Sequence, residues 1–169
     1  VEEILNQMQA GVPWDQAVKK TFAKENPWLS EIVTHPDRIK FFEKKLPAKH
    51  EKILDIGAGW GQFSLPLAKT NKVCSLEPTP ERMSFIHAAA KQEKIEQNMC
   101  FLGADYMDVR FESQFDLILC IGVLEWVGVF RNETAPKQSQ QMFLEKINGE
   151  LRPGGRLLIG IENRLGLKY

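Results

Sequence analysis

Several signals are missing from this sequence, and each absence narrows what it encodes. No run approaches ~18 consecutive apolar residues, so no helical membrane span is expected. Net charge is absent as well. Twenty-two lysines and arginines balance 22 aspartates and glutamates, which leaves no overall electrostatic footprint for nucleic acid or an anionic membrane surface. Cysteine is scarce: Cys74, Cys100 and Cys120 are odd in number, sit in apolar runs and show no Cys/His spacing. They argue against a disulfide framework or a zinc site and for reduced core thiols in a cytoplasmic protein. The first residues lack the basic-then-apolar order of a signal peptide. Internal repeats and low-complexity segments are also absent.

What is present is enough for one core. A chain of 169 residues with 43% hydrophobic and 26% charged residues has the make-up of a single globular domain. The stretch Lys52-Ile53-Leu54-Asp55-Ile56-Gly57-Ala58-Gly59-Trp60-Gly61-Gln62-Phe63 organises the rest. Lys52 to Asp55 form a short buried strand ending in an acid, glycines follow at alternate positions, and Phe63, Leu65, Leu67 and Ala68 begin a helix. A strand, a glycine turn and a helix make the first unit of a doubly wound sheet, where ligands bind at the carboxyl ends of the strands. A dinucleotide fingerprint needs its third glycine three residues after the second, and Gln62 stands there instead. The Gly57-x-Gly59-x-Gly61 spacing suits a loop that holds S-adenosylmethionine.

Residues 1–46 precede this unit and are expected to be helical. Ile4, Leu5 and Met8 share a face; Trp14, Ala17, Val18 and Phe22 follow Pro13 at helical spacing. Asn26-Pro27-Trp28 punctuates, and a third short helix is expected from Pro36, with Ile39, Phe41, Phe42 and Leu46. This region is either a cap packed on the sheet edge or a lid carrying His35, Trp28 or Trp14. Residues 47–169 then form the core. Strands are expected at Val73–Leu76, Met99–Leu102, Phe115–Ile121 and Arg156–Ile161, with a helix from Pro80 and another along Phe143, Leu144, Ile147 and Leu151 that Pro153-Gly154-Gly155 stops. Alternating strands and helices predict a doubly wound, mainly parallel α/β sheet. Further strands are expected after the fifth.

Acidic and small residues recur at the strand ends. Glu77 lies sixteen residues beyond Gly61, where a carboxylate can accept from both hydroxyls of a ribose. Asp105 and Tyr106 end the third strand, offering a carboxylate to an exocyclic amine and a ring to an adenine face. Cys120-Ile121-Gly122 closes the fourth. Each has a plainer alternative, since Glu77 can cap a turn, Asp105 can be a solvated loop acid and Cys120 can be core.

Over residues 52–161 the chain resembles the class I S-adenosylmethionine-dependent methyltransferases. The resemblance rests on Asp55-Ile56-Gly57-Ala58-Gly59-Trp60-Gly61, on Glu77 and Asp105, on Phe115-Asp116-Leu117-Ile118 and on Leu151-Arg152-Pro153-Gly154-Gly155. It implies that Gly57, Gly59 and Gly61 line the methionine part of S-adenosylmethionine, that Glu77 holds its ribose and that Asp105 meets its adenine amine. Asp55, Ala58, Pro78, Ala104, Tyr106, Cys120, Ile121 and Gly122 complete the expected cofactor site. The chain departs from the family pattern at Cys120, where serine or asparagine is frequent, and at Glu125-Trp126, where a histidine often sits. Ile121–Trp126 and Ile161–Tyr169 are similar to a bacterial group associated with surface-polysaccharide and glycosyltransferase systems.

Methyl transfer from an activated sulfonium asks a protein mainly for alignment and exclusion of water. A sugar hydroxyl as acceptor also needs a base, for which Glu125 is the first candidate and His35 the second. An anionic acceptor needs only orientation, by Arg131 or Arg164. The expected function is thus methyl transfer to an oxygen of a sugar, glycan or other small molecule. The rivals are a nicotinamide-dependent oxidoreductase, a cofactor-binding module of a larger protein that has lost turnover, and a nucleic-acid methyltransferase. No metal and no nucleic-acid partner are expected.

Overall fold

The computed structural model describes residues 1–23, 26–35, 37–40, 49–112, 114–129 and 135–161. Five parallel strands form one sheet: β1 (Lys52–Ile56), β2 (Lys72–Leu76), β3 (Met99–Leu102), β4 (Phe115–Ile121) and β5 (Leu151–Gly160), in the order β3-β2-β1-β4-β5. The helices are α1 (Glu2–Gln9), α2 (Trp14–Phe22), α3 (Pro27–Thr34), α4 (Asp37–Lys40), α5 (Ser64–Leu67), α6 (Pro80–Gln92) and α7 (Pro136–Glu150). This is the Rossmann-like α/β fold expected from the alternation of strands and helices. No described helix is long and apolar enough to cross a membrane.

The central strands are buried on both sides, as parallel strands covered by helices must be. Six of the seven residues of β4 are buried. Successive side chains alternate between two cores. Ile53, Val73, Leu117 and Leu119 pack on one face with Ile4, Met8, Ala17, Val18, Phe85 and Ile86. Leu54, Ile56, Leu76 and Ile118 pack on the other with Tyr106, Phe143 and Ile147. The first helices therefore share the core of the sheet. Trp14 ties them to α6: its backbone N–H donates to Gln92 Oε1 at 2.8 Å and its Nε1 to Glu93 Oε1 at 3.0 Å.

Two boundaries differ from expectation. Asn26-Pro27 falls between α2 and α3 as expected, but it also starts α3, a helix not expected there, because proline loses nothing at a first turn whose N–H groups have no helical partner. The helix expected from Pro36 survives as α4; Pro36 itself, Phe41, Phe42 and Leu46 lie outside the described residues. At the other end, α7 stops at Glu150, and Pro153-Gly154-Gly155 lies within β5 rather than before it. An irregularity in register between Phe115 and Leu117 absorbs the extra residues. Gly155 fits because the chain passes close to β4, where an added Cβ would lie 2.9 Å from the Phe115 carbonyl oxygen.

Candidate active site

The strand order reverses between β1 and its two neighbours, β2 and β4, so the crevice for a ligand opens at their carboxyl ends. Backbone bonds fix the turns there. Gly57 and Ala58 N–H both donate to the Leu76 carbonyl, at 2.8 and 3.0 Å, and Glu77 N–H donates to Leu102 O at 3.1 Å. Gly57, Gly59 and Gly61 have φ of +67°, +58° and +78°, a conformation that side chains with a Cβ resist. The glycine spacing is thus a requirement of the turn. Gly57 is restricted further, since an added Cβ would stand 2.4 Å from Val123 Cγ2. The loop after β4 rests directly on the glycine loop.

Glu77 closes the turn from the other side. Its Oε2 accepts Gly59 N–H at 2.9 Å and its Oε1 accepts Thr79 N–H at 3.0 Å, with Arg82 Nη1 3.8 Å from Oε1. The side chain is only 4% exposed. A carboxylate has about four acceptor sites, so capacity for further donors remains. Asp55, one strand over, is buried too. Ser64 Oγ donates to Asp55 Oδ2 at 2.6 Å and Ser75 Oγ to Ser64 Oγ at 2.7 Å. Burial pushes the Asp55 carboxyl up to about 6 against the pull of the Ser64 bonds, and the nearby Glu77 charge raises it further. Asp55 faces this relay and not solvent. The pattern of acids and glycines does not reveal Ser64 or Ser75, because a lone serine looks the same whether it is a turn residue or a buried donor.

The other expected residues divide into those at the crevice and those behind it. Pro78 and Asp105 are exposed; Ala104 and Ile121 are half-buried; Gly122 is exposed, with φ +69°. Asp105 caps the turn at Tyr106–Asp108, its Oδ1 accepting Met107 N–H at 2.8 Å. Tyr106 corrects the expectation of a ring offered to adenine. It is 2% exposed, its ring meets Phe143 edge-on, and its hydroxyl donates to Glu150 Oε2 at 2.6 Å. Lys146 completes that buried group by bonding Glu150 Oε1. Cys120 is likewise core: its side chain is fully buried, and burial pushes the thiol up to about 12. It is a neutral core residue packed with Leu54, Ile56 and Tyr106.

Glu125 lies in the short turn Leu124–Trp126, half-buried, with Oε1 4.0 Å from where a Cβ on Gly122 would be. Gln140 Nε2 holds this turn by donating to the Leu124 carbonyl at 3.1 Å. Trp126 beside it is 56% exposed. His35 ends α3 on the surface. Arg131, Asn163 and Arg164 lie outside the described residues. Two concave surfaces lie elsewhere, one of about 500 Å³ along α7 and one of about 320 Å³ at the strand starts near Lys52, Lys72 and Cys100. Neither touches the glycine loop, and the chemistry of the strand ends is the better guide to the site.

These features coincide with a known family. Residues 54–159, more than half of the chain, match the family model described as a methyltransferase domain. The chain belongs to this family. Ubiquinone biosynthesis O-methyltransferase of Rickettsia akari is 23% identical over 142 residues, covering 80% of this chain and 52% of that protein. The enzyme of the same name from Coxiella burnetii is 27% identical over 132 residues, covering 77% and 51%. The chain spans about half the length of these relatives. Among solved structures, phosphoethanolamine N-methyltransferase 1 of Haemonchus contortus, in complex with phosphoethanolamine and S-adenosylhomocysteine, superposes with a TM-score of 0.61 at 21% identity, over 77% of this chain and 26% of that one. An S-adenosylmethionine-dependent methyltransferase of Geobacter sulfurreducens, in complex with S-adenosylhomocysteine, gives 0.61 at 17% identity over 75% and 48%. The fold is that of the class I methyltransferases, whose cofactor is S-adenosylmethionine. The residues present fit this group chemically: a buried carboxylate for hydroxyl donors ends β2, and a side-chain-poor turn with left-handed glycines lies beside it.

Proposed function

We propose that this chain transfers a methyl group from S-adenosylmethionine to an oxygen of a small-molecule acceptor. The observation that carries the proposal is the Glu77 carboxylate, buried at the end of β2 and bonded to the glycine loop. It would hold the ribose hydroxyls, with Gly57, Ala58, Gly59 and Gly61 beside the methionine part and Asp105 at the adenine amine. Asp55, through Ser64, would hold the turn in place. When bound, the cofactor supplies an activated methyl group, and the protein aligns the acceptor and keeps water out.

The acceptor separates two versions of the proposal. The relatives are named O-methyltransferases of ubiquinone biosynthesis, which favours a hydroxyl on a quinone precursor over the sugar expected from the sequence. An exposed indole at Trp126 would serve an aromatic ring or a sugar face alike and supports both. In either version Glu125, just past β4, takes the hydroxyl proton. Calorimetric titration with S-adenosylhomocysteine and with NADH tests the cofactor assignment, and stronger binding of NADH would overturn it. Methyl-transfer assays on catechols, sugars and sugar phosphates then test the acceptor. Transfer to nitrogen alone would remove the oxygen assignment.

A further inference from the structure

We propose that Phe22, on α2, is a positioning residue that sets cofactor affinity by clamping Trp60 in the glycine loop. The proposal rests on the reading of that loop as the S-adenosylmethionine site. Between Gly57 and Gly61 the loop has only two side chains, the methyl group of Ala58 and the indole of Trp60. Three glycines in left-handed conformation give the backbone many alternatives, so the loop's shape must be imposed from outside. Trp60 is 7% exposed and faces away from the crevice into an aromatic cluster. Its ring meets Phe22 edge-on at 5.7 Å and Phe85 at 5.1 Å, and Phe85 meets Trp14 at 6.1 Å. Edge-to-face packing of this kind adds stabilisation and direction beyond simple burial.

The clamp draws on segments far apart in sequence. Phe85 is on α6, immediately before Ile86, whose Cγ1 lies 3.3 Å from where a Cβ on Gly61 would be. Phe22 comes from the helices before the glycine unit, and Trp14 fastens those helices to the end of α6. Withdrawing the Phe22 ring frees one side of the indole, and Trp60 then no longer fixes the peptide that presents Gly59 N–H to Glu77. The first helices are thus part of the cofactor site without touching the cofactor.

The test compares Phe22→Ala with Val18→Ala, a fully buried residue of the same helix and the same core that has no ring to set against Trp60. Both variants are measured where circular dichroism shows them folded. Phe22→Ala should raise the Kd for S-adenosylhomocysteine at least tenfold and accelerate amide exchange at Gly59 and Gly61 by a similar factor. Val18→Ala should lower the melting temperature yet leave Kd within twofold. Equal Kd values in the wild type and Phe22→Ala, or equal rises in both variants, would overturn the clamp while leaving the cofactor assignment intact. A wild-type protein that does not bind S-adenosylhomocysteine overturns both. If Phe22→Ala does not fold, Phe22→Leu decides: a Kd raised threefold or more supports the clamp, and an unchanged one rejects it.

Discussion

Glu77 and Gly59 are eighteen residues apart, and the carboxylate of one accepts the amide proton of the other at 2.9 Å. The strand end that offers a carboxylate and the turn that offers an open backbone are therefore one unit. Neither can move without the other. Because the bond is charge-assisted and partly buried, it is worth more than an exposed one.

Replacing Glu77 with alanine should accordingly weaken cofactor binding. Losing even one charge-assisted bond to a ribose hydroxyl costs about 1.5–3 kcal/mol, or at least roughly tenfold in affinity for S-adenosylhomocysteine. Glu77→Gln keeps the shape but offers a weaker acceptor, and it should fall between alanine and the wild type. Titration calorimetry on folded variants checks this. Unchanged affinity in Glu77→Ala would place the ribose elsewhere.

Asp55 makes stability depend on pH in a defined direction. Its folded-state carboxyl is pushed from 3.8 up to about 6 by burial, so between those values the native state holds a proton that the unfolded state has released. Stability from this group is full below the unfolded value and is lost as pH rises through about 6. Asp55→Asn removes that dependence. The stability of the asparagine variant relative to the wild type should rise by about 1–1.5 kcal/mol between pH 5 and pH 7.5. Urea unfolding at three pH values measures it, and a constant difference would show that Asp55 does not titrate in this range.

Tyr106 marks where sequence and structure part. β3 and β4 are readable to the residue, because each is a short, mainly apolar run bounded by polar turns: β4 is apolar apart from Asp116 and almost wholly buried, and β3 is apolar although it lies at the sheet edge. Glu77 and the glycines could also be placed, since a strand end and a left-handed turn leave local marks. The direction of a side chain just past a strand end leaves none. Tyr106 turns inward because Glu150 and Lys146 of α7 receive its hydroxyl and ring, and those partners are forty or more residues away. Long-range partners also explain why Trp60 looked like an unremarkable residue between glycines, and why Pro153-Gly154-Gly155 read as a stop before β5. The consequence is testable. Tyr106→Phe should cost about 1–2 kcal/mol of stability while leaving cofactor affinity within twofold. A large loss of affinity without destabilisation would restore the tyrosine to the adenine site.

On the proposed function, Glu125 would decide what kind of acceptor the site serves. It follows β4 by four residues, beside Gly122 and on the turn that Gln140 holds in place, and the exposed Trp126 is next to it. A hydroxyl acceptor must lose its proton as the oxygen–carbon bond forms, and a carboxylate at this position is suited to take it. Glutamine keeps the size and most of the hydrogen bonding of glutamate but cannot accept that proton. Glu125→Gln should therefore lower turnover about 10²–10⁴-fold with S-adenosylmethionine affinity nearly constant, and the loss should shrink for acceptors that are already ionised at the assay pH. A catechol series of falling pKa would expose that trend. Full activity of the glutamine variant on every acceptor would remove Glu125 as base and favour an acceptor that arrives as an anion.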